Sequence, residues 1–285
     1  ADARVLDGCY DCLLDARATY ERLATSRHAN RDTIALRLFE TQLLLAVREK
    51  ELALDWNGSM TRAATLAELA PAGVDAARLL AIADAVLPDG TGRPNDWPAP
   101  MRNARAAFMP KIPGEIAWLE TDAVLRPVVR RYLALALDCS YDARVLAPTK
   151  QPGAAHRRPV LVPDSPPAII YRTGICMSPD ANMLAAVLAL VPEFHEAAYF
   201  AGVGAAIAAQ EEGGVEASEL FAQARRHFPR AIGLSFMSGW LAKTVGECTD
   251  AVGHFDRTLE MDAVHEYALL ERTIRRYWQP VIVGN

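Results

Sequence analysis

The sequence predicts an all-α fold, and three observations lead to this class. Ala and Leu dominate the 285 residues, and both lose little side-chain entropy in a helix. Runs of β-branched residues are short and rare, and the alternation of apolar and polar residues that marks a half-buried strand does not recur. Apolar residues instead return at helical spacing. Because 51% of the residues are hydrophobic, the chain has enough apolar material for a sizeable core.

Residues 1–140 are predicted to form an N-terminal helical region. Four helices are expected there from apolar residues at helical spacing: 8–24, 31–55, 61–70 and 74–87. The stretch 88–113 is rich in Pro and Gly and predicts a loop. One long helix is expected over 113–138, with a kink at Pro127, because its ring nitrogen cannot donate a backbone hydrogen bond.

Residues 141–168 contain six prolines and predict a second long loop. A short extended piece is expected within it, over 158–162. Two alternatives remain for this loop, a surface excursion or a lid over a groove. The remaining region, 169–285, is dominated by six predicted helices: 181–191, 194–210, 216–228, 231–245, 248–260 and 264–278.

A spacing of 34 residues recurs in this C-terminal region. It carries Ala217 onto Ala251 and Phe221 onto Phe255. The same shift carries Ala205 onto Gly239, with a register uncertain by one residue because of an extra residue near 213–214. Small residues at such positions allow two helices to approach closely, and the phenylalanines fill the space between successive units.

Because 34 residues is the tetratricopeptide period, the chain over 193–278 resembles the tetratricopeptide repeat family. The resemblance implies helix-turn-helix units, packed here with the additional N-terminal helices. It also implies a concave groove lined by the first helix of each unit. The larger groove-lining side chains would be Tyr199, Phe236, Trp240, Lys243, Tyr267, Leu270, Ile274 and Tyr277.

The expected groove is mainly aromatic and aliphatic, with one lysine. Family members that bind the terminal carboxylate of a peptide have Lys, Arg and Asn at such positions. Phe236 and Trp240 occupy two of them here, which disfavours that mode of binding. Two explanations of an apolar groove remain open and are compatible: the N-terminal half covers it, or it encloses a hydrophobic ligand such as a lipid or sterol.

The net charge argues against a nucleic-acid partner, and the hydropathy argues against a membrane-spanning helix. The formal net charge is −5, and the one basic cluster, 156–158, falls in a predicted loop, so no nucleic-acid partner is expected. No apolar run reaches the about 18 to 20 residues that span a bilayer. Association with a membrane surface is not excluded by this argument.

Motifs for catalysis and metal binding are missing or incomplete. Cys9 and Cys12 form a C-x-x-C without a second ligand pair, and they are expected to be buried or disulfide-bonded. His195 and Glu196 begin the sequence HEAAY, which lacks the second His of a zinc-protease helix. Glu49 and Glu51 are expected on a solvated helix face. The sequence therefore predicts no catalytic residue, no metal site and no cofactor.

The function expected from these observations is binding without catalysis. The chain resembles the helical-repeat components that accompany bacterial lipid and sterol transport systems, which implies a periplasmic or envelope-associated protein that accommodates a lipid or sterol and works with a protein of such a system. The alternative is a scaffold that recruits a protein partner, and an enzyme with an unrecognised site is the third hypothesis. The start at Ala1 is compatible with removal of an export signal or with a trimmed N-terminus, and a cytoplasmic location is the alternative.

Overall fold

The computed structural model describes residues 1–26, 30–86, 107–140, 164–177, 179–208 and 214–278. Within these ranges 79% of the residues are helical and no strand occurs, which confirms the all-α prediction. The described α-helices are α1 (Asp2–Asp7), α2 (Tyr10–Ala24), α3 (Arg31–Glu51), α4 (Asn57–Ala67), α5 (Ala76–Ala85), α6 (Ile112–Thr121), α7 (Pro127–Ser140), α8 (Pro167–Cys176), α9 (Ala181–Leu190), α10 (His195–Ala208), α11 (Gly214–His227), α12 (Ile232–Thr244), α13 (Cys248–Met261) and α14 (Glu266–Trp278).

Helix α3 is the centre of the N-terminal half. It packs against α2, α4, α5 and α7, and every residue from 38 to 52 is buried. Its N-terminus is capped by Asn30, whose side chain accepts a hydrogen bond from the backbone N–H of Thr33 at 3.2 Å. Because its C-terminal half is covered on all sides, polar residues there must find partners inside the protein.

The single helix expected over 113–138 is wrong, because the chain forms two helices, α6 and α7. Asp122 has an extended backbone, and its side chain accepts hydrogen bonds from the N–H groups of Val124 and Leu125 at 2.9 and 2.8 Å. The N–H of Arg126 donates to the buried Glu40 carboxylate at 2.7 Å. Pro127 then begins α7, where its missing donor has no cost. These hydrogen bonds hold a turn between α6 and α7, in place of the kink expected at Pro127.

Two helices lie where the sequence analysis predicted none. Helix α1 precedes Gly8, which has a φ of 72° and ends the helix in the left-handed conformation that glycine adopts easily. Helix α8 begins at Pro167, inside the loop expected over 141–168. Proline is favoured in the first turn of a helix, so the Pro166-Pro167 pair starts a helix here. The extended piece expected over 158–162 lies outside the described residues.

Helices α10 to α14 form successive packed pairs, α10 with α11 and α12 with α13, followed by α14 against α13. In each pair a glycine of the first helix faces a phenylalanine of the second. A Cβ atom at Gly202 would lie 2.7 Å from Cε1 of Phe221, and one at Gly239 would lie 2.7 Å from Cε1 of Phe255. Gly202, and not Ala205, is therefore the counterpart of Gly239.

This correspondence corrects the register of the first helix. Phe221 follows Gly202 by 19 positions, whereas Phe255 follows Gly239 by 16. Phe221 and Phe255 in the second helices are 34 residues apart, but Gly202 and Gly239 in the first helices are 37 residues apart. Three extra residues therefore lie between Gly202 and Phe221, so the offset is three residues and not one.

A single hydrophobic core unites the N-terminal helices with the first helix pair. It extends from Val5 to Leu241. A smaller cluster under α12, α13 and α14 contains Ala242, Ala251, Phe255 and Ala268. The regions 1–140 and 169–285 thus share one core across their boundary. Across the described ranges, no helix combines the length and the apolar character needed to cross a bilayer.

Candidate functional site

The predicted groove residues fall into two environments. Tyr199 of α10 is buried, with 3% of its surface exposed. Its ring centroid lies 4.5 Å from that of Phe200 and 6.2 Å from that of Phe221. Tyr199 is therefore part of the shared core.

The second helix pair is more open. Phe236 is half-buried, and its ring centroid lies 5.0 Å from that of His265 and 6.4 Å from that of Tyr267. Trp240 is half-buried at the edge of the shared core, and 55% of the Leu270 surface is exposed. The side chains of Ile274 and Tyr277 lie outside the described part of the chain.

The one lysine of the groove is paired inside the protein. Lys243 Nζ donates to both carboxylate oxygens of Glu271 at 2.6 Å, across α12 and α14. Its positive charge is thereby compensated. Phe236, Trp240, Lys243, Tyr267 and Leu270 together are called the α12–α14 face below. A neighbouring open cleft of about 450 Å³ involves α11, α12 and α13, and none of these five residues lines it.

A buried network of charged groups forms a second candidate site, which the sequence analysis missed. Arg48 of α3 is 1% exposed. It donates from Nη1 to Glu196 Oε1 of α10 at 2.9 Å and from Nη2 to the carbonyl oxygen of Gly8 at 2.9 Å. Its guanidinium carbon lies 3.9 Å from the centre of the Tyr171 ring, which adds a cation–π contact.

Glu51 is the second carboxylate of this network. It accepts hydrogen bonds from Tyr132 Oη at 2.7 Å and from Arg172 Nη1 at 2.9 Å, and its Oε2 lies 3.3 Å from Arg48 Nε. The expectation that Glu49 and Glu51 occupy a solvated face is wrong, since they are 7% and 3% exposed. The apolar covering of α3, which comes from distant parts of the chain, is the reason.

The network pairs two arginines with two carboxylates away from solvent. Burial raises the pKa of Glu196 to about 7, although the charge of Arg48 acts in the opposite direction. Burial also raises the pKa of Tyr132 well above its ordinary value. No member of the network is more than 5% exposed, so a substrate cannot reach it. Its hydrogen bonds and ion pairs join α3, α7, α8 and α10.

One group of residues has the chemistry of a metal site. A carboxylate oxygen of Asp11 and one ring nitrogen each of His195 and His227 lie within 4.8 Å of one another. The two imidazole rings are stacked, with centroids 3.3 Å apart and planes 14° apart. Burial, and then the neighbouring His227, lower the pKa of His195. The three residues are separated by long stretches of sequence, so no motif indicates the cluster.

Cysteine pairing resolves the alternatives left open for the C-x-x-C. Cys9 and Cys12 form a disulfide at the start of α2. A second disulfide joins Cys139 of α7 to Cys176 of α8. Cys248 takes part in neither.

Comparison with models of protein families, with characterised proteins and with solved structures finds no match to this chain.

Proposed function

We propose that this protein is a non-catalytic binding protein that uses the α12–α14 face to bind an apolar segment of a partner protein. The observation that carries this proposal is the contrast between the two helix pairs. Tyr199 is buried in the core, whereas Phe236 and Trp240 are half-buried and Leu270 is 55% exposed. Partly exposed aromatic and aliphatic side chains on adjacent helices suit docking of an apolar helix or peptide.

The composition of the face supports the same proposal. Trp and Tyr are enriched among the residues that contribute most to binding energy at interfaces. The charge of Lys243 is compensated by Glu271, so an apolar partner would not have to desolvate an unpaired cation. The resemblance to tetratricopeptide repeats adds support, because recruiting a protein partner is the usual role of that family.

Binding of a lipid or sterol is the second candidate. It rests on the same observation, a face of apolar side chains with one compensated charge, which an acyl chain or a sterol ring could cover. A small-molecule site normally buries most of its ligand, and the α12–α14 face is open, so the partner segment is the first candidate.

The proposed location is the bacterial envelope. Two disulfides join pairs of cysteines in this chain, and disulfides persist in the periplasm and outside the cell but are rare in the cytosol. This supports an exported protein, in keeping with the lipid or sterol transport systems that the helical repeats resemble.

Selection of peptides against the purified chain tests the docking proposal. Peptides selected from a random library should be rich in apolar residues. They should bind the Trp240→Ala and Leu270→Glu variants at least tenfold more weakly than the wild type. Leu190→Glu is the matched control, because Leu190 on α9 is 61% exposed and outside the face. It should change affinity less than twofold.

Titration with sterols and fatty acids, followed by tryptophan fluorescence, distinguishes the second candidate. Saturable lipid binding that Leu270→Glu weakens and Leu190→Glu does not would favour the lipid. If the folded chain selects no peptide and binds no lipid, or if Leu270→Glu has no effect, the α12–α14 face is not the binding site.

A further inference from the structure

Three side chains from distant parts of the sequence meet at one end of the first helix pair. Asp11 lies in the first turn of α2, His195 is the first residue of α10, and His227 is the last residue of α11. One ligand atom from each lies within 4.8 Å of the other two. Two imidazoles and one carboxylate are the ligand set of many three-residue zinc and iron sites.

The backbone at this place is fixed by Tyr10. Its N–H donates to Glu196 Oε1 at 2.6 Å, and its ring forms a T-shaped contact with the ring of Phe228, with centroids 5.6 Å apart. Tyr10, Glu196 and Phe228 are the sequence neighbours of Asp11, His195 and His227 respectively. The contacts that join these three neighbours therefore hold the three candidate ligands together. Glu196 is itself held by the buried Arg48.

The polar atoms of the cluster are incompletely satisfied. Nδ1 of His195 is buried and has no hydrogen-bond partner among the described residues. A buried polar atom without a partner costs free energy, and a bound cation would remove this cost. The carbonyl end of α11, next to His227, also favours a positive charge.

We propose that Asp11, His195 and His227 bind a divalent transition-metal cation, with Zn²⁺ as the first candidate. Ligand atoms around a tetrahedral Zn²⁺ are about 3.4 Å apart, so the side chains must draw together from their present separation. The stacked imidazoles would turn until one nitrogen of each points at the metal. Three protein ligands leave a fourth position for water or for an atom of a partner.

A metal at this place would connect α2 to the first helix pair. Asp11 belongs to the N-terminal helices, and both histidines belong to the pair that begins the array. The cation would thus reinforce the boundary between the two halves. The inference does not depend on the proposed function, because none of the three residues belongs to the α12–α14 face.

Calorimetric titration of the metal-free 285-residue chain with Zn²⁺ tests the proposal. The chain is prepared without a histidine tag. One Zn²⁺ per chain is expected. Asp11→Asn and His227→Ala should each weaken binding at least tenfold, since even residues that only support a metal ligand contribute about 10- to 100-fold. His254→Ala, a half-buried histidine outside the cluster, is the control and should bind as the wild type does.

Co²⁺ gives a second readout. Its visible absorption should show a four- or five-coordinate site in the wild type, and this spectrum should disappear in His227→Ala while the circular dichroism stays unchanged. The proposal is overturned if the wild type binds no Zn²⁺ at one per chain. It is also overturned if folded Asp11→Asn and His227→Ala variants bind Zn²⁺ as tightly as the wild type.

Discussion

Arg48 joins several helices through one guanidinium group. It pairs with Glu196 of α10, bonds the carbonyl oxygen that follows α1, and lies over the ring of Tyr171 in α8. Breaking a buried pair by removing one partner leaves an uncompensated charge and costs about 3 to 5 kcal/mol. The sequence predicts the acidic neighbours Glu49 and Glu51 in solvent, since the helices that bury them come much later in the chain and cannot be inferred from local periodicity.

Glu196 should make stability depend on pH. Burial raises its pKa to about 7 in the folded protein from an ordinary value of 4.5, so the folded state holds this proton more tightly. The carboxyl therefore favours folding most below about pH 4.5, and the contribution is lost as the pH rises through about 7. Between pH 5 and pH 8 the loss amounts to about 2 kcal/mol. Glu196→Gln should remove this part of the pH dependence.

Urea denaturation at pH 5 and at pH 8 measures the effect in both proteins. The fall in the free energy of unfolding between the two pH values should be smaller in Glu196→Gln than in the wild type. Equal falls would mean that Glu196 stays ionised beside Arg48 throughout.

At the scale of the helices, close approach of α12 and α13 depends on a residue without a side chain. A Cβ atom at Gly239 would lie 2.7 Å from the Phe255 ring, and Phe255 is itself fully buried. The sequence indicated this contact through the 34-residue spacing. In the first pair the sequence predicts Ala205 at the position that Gly202 occupies. Three extra residues between Gly202 and Phe221 shift the first helix along the chain and leave its own periodicity unchanged.

Gly239→Ala should destabilise the protein by about 1 to 3 kcal/mol, because the added methyl group must displace the buried ring of Phe255. Gly253→Ala is the matched control, since a Cβ atom there would meet nothing within 4 Å. This control should stabilise the helix by about 0.5 to 1 kcal/mol, as alanine is the better helix former. Guanidinium denaturation midpoints of the two variants should therefore move in opposite directions. Movement in the same direction would refute the close contact.

At the scale of the whole molecule, the N-terminal helices and the first helix pair are held as one unit. They share a core from Val5 to Leu241, and the Arg48 network crosses the same boundary. The Cys139–Cys176 disulfide adds a covalent link between α7 and α8 across a sequence separation of 37. The shared core also includes Leu234 and Leu241 of α12, and a smaller cluster lies under α12, α13 and α14.

The two disulfides should differ in their effect on stability. A cross-link stabilises by limiting the unfolded chain, and the effect grows with the enclosed loop. Replacing Cys139 and Cys176 by serine should cost about 4 kcal/mol by the loop-entropy relation. The same change at Cys9 and Cys12, which are separated by 3 in sequence, should cost about 1.5 kcal/mol. Chemical denaturation of both double variants checks this order, and a larger loss for Cys9 and Cys12 would contradict it.

The sequence alone determined the helical class, most helices after 181 and the 34-residue spacing of the second helices, because periodicity and propensity are local properties. The resemblance to tetratricopeptide repeats predicted Phe236, Trp240 and Tyr267 as groove-lining residues. Tertiary structure decided the rest. Contacts between distant segments decide whether Tyr199 faces a ligand or a core, whether Glu51 meets water or Arg172, and whether Asp11 lies beside two histidines. Such contacts leave no periodic signal in a single sequence, since they join residues that are far apart along the chain.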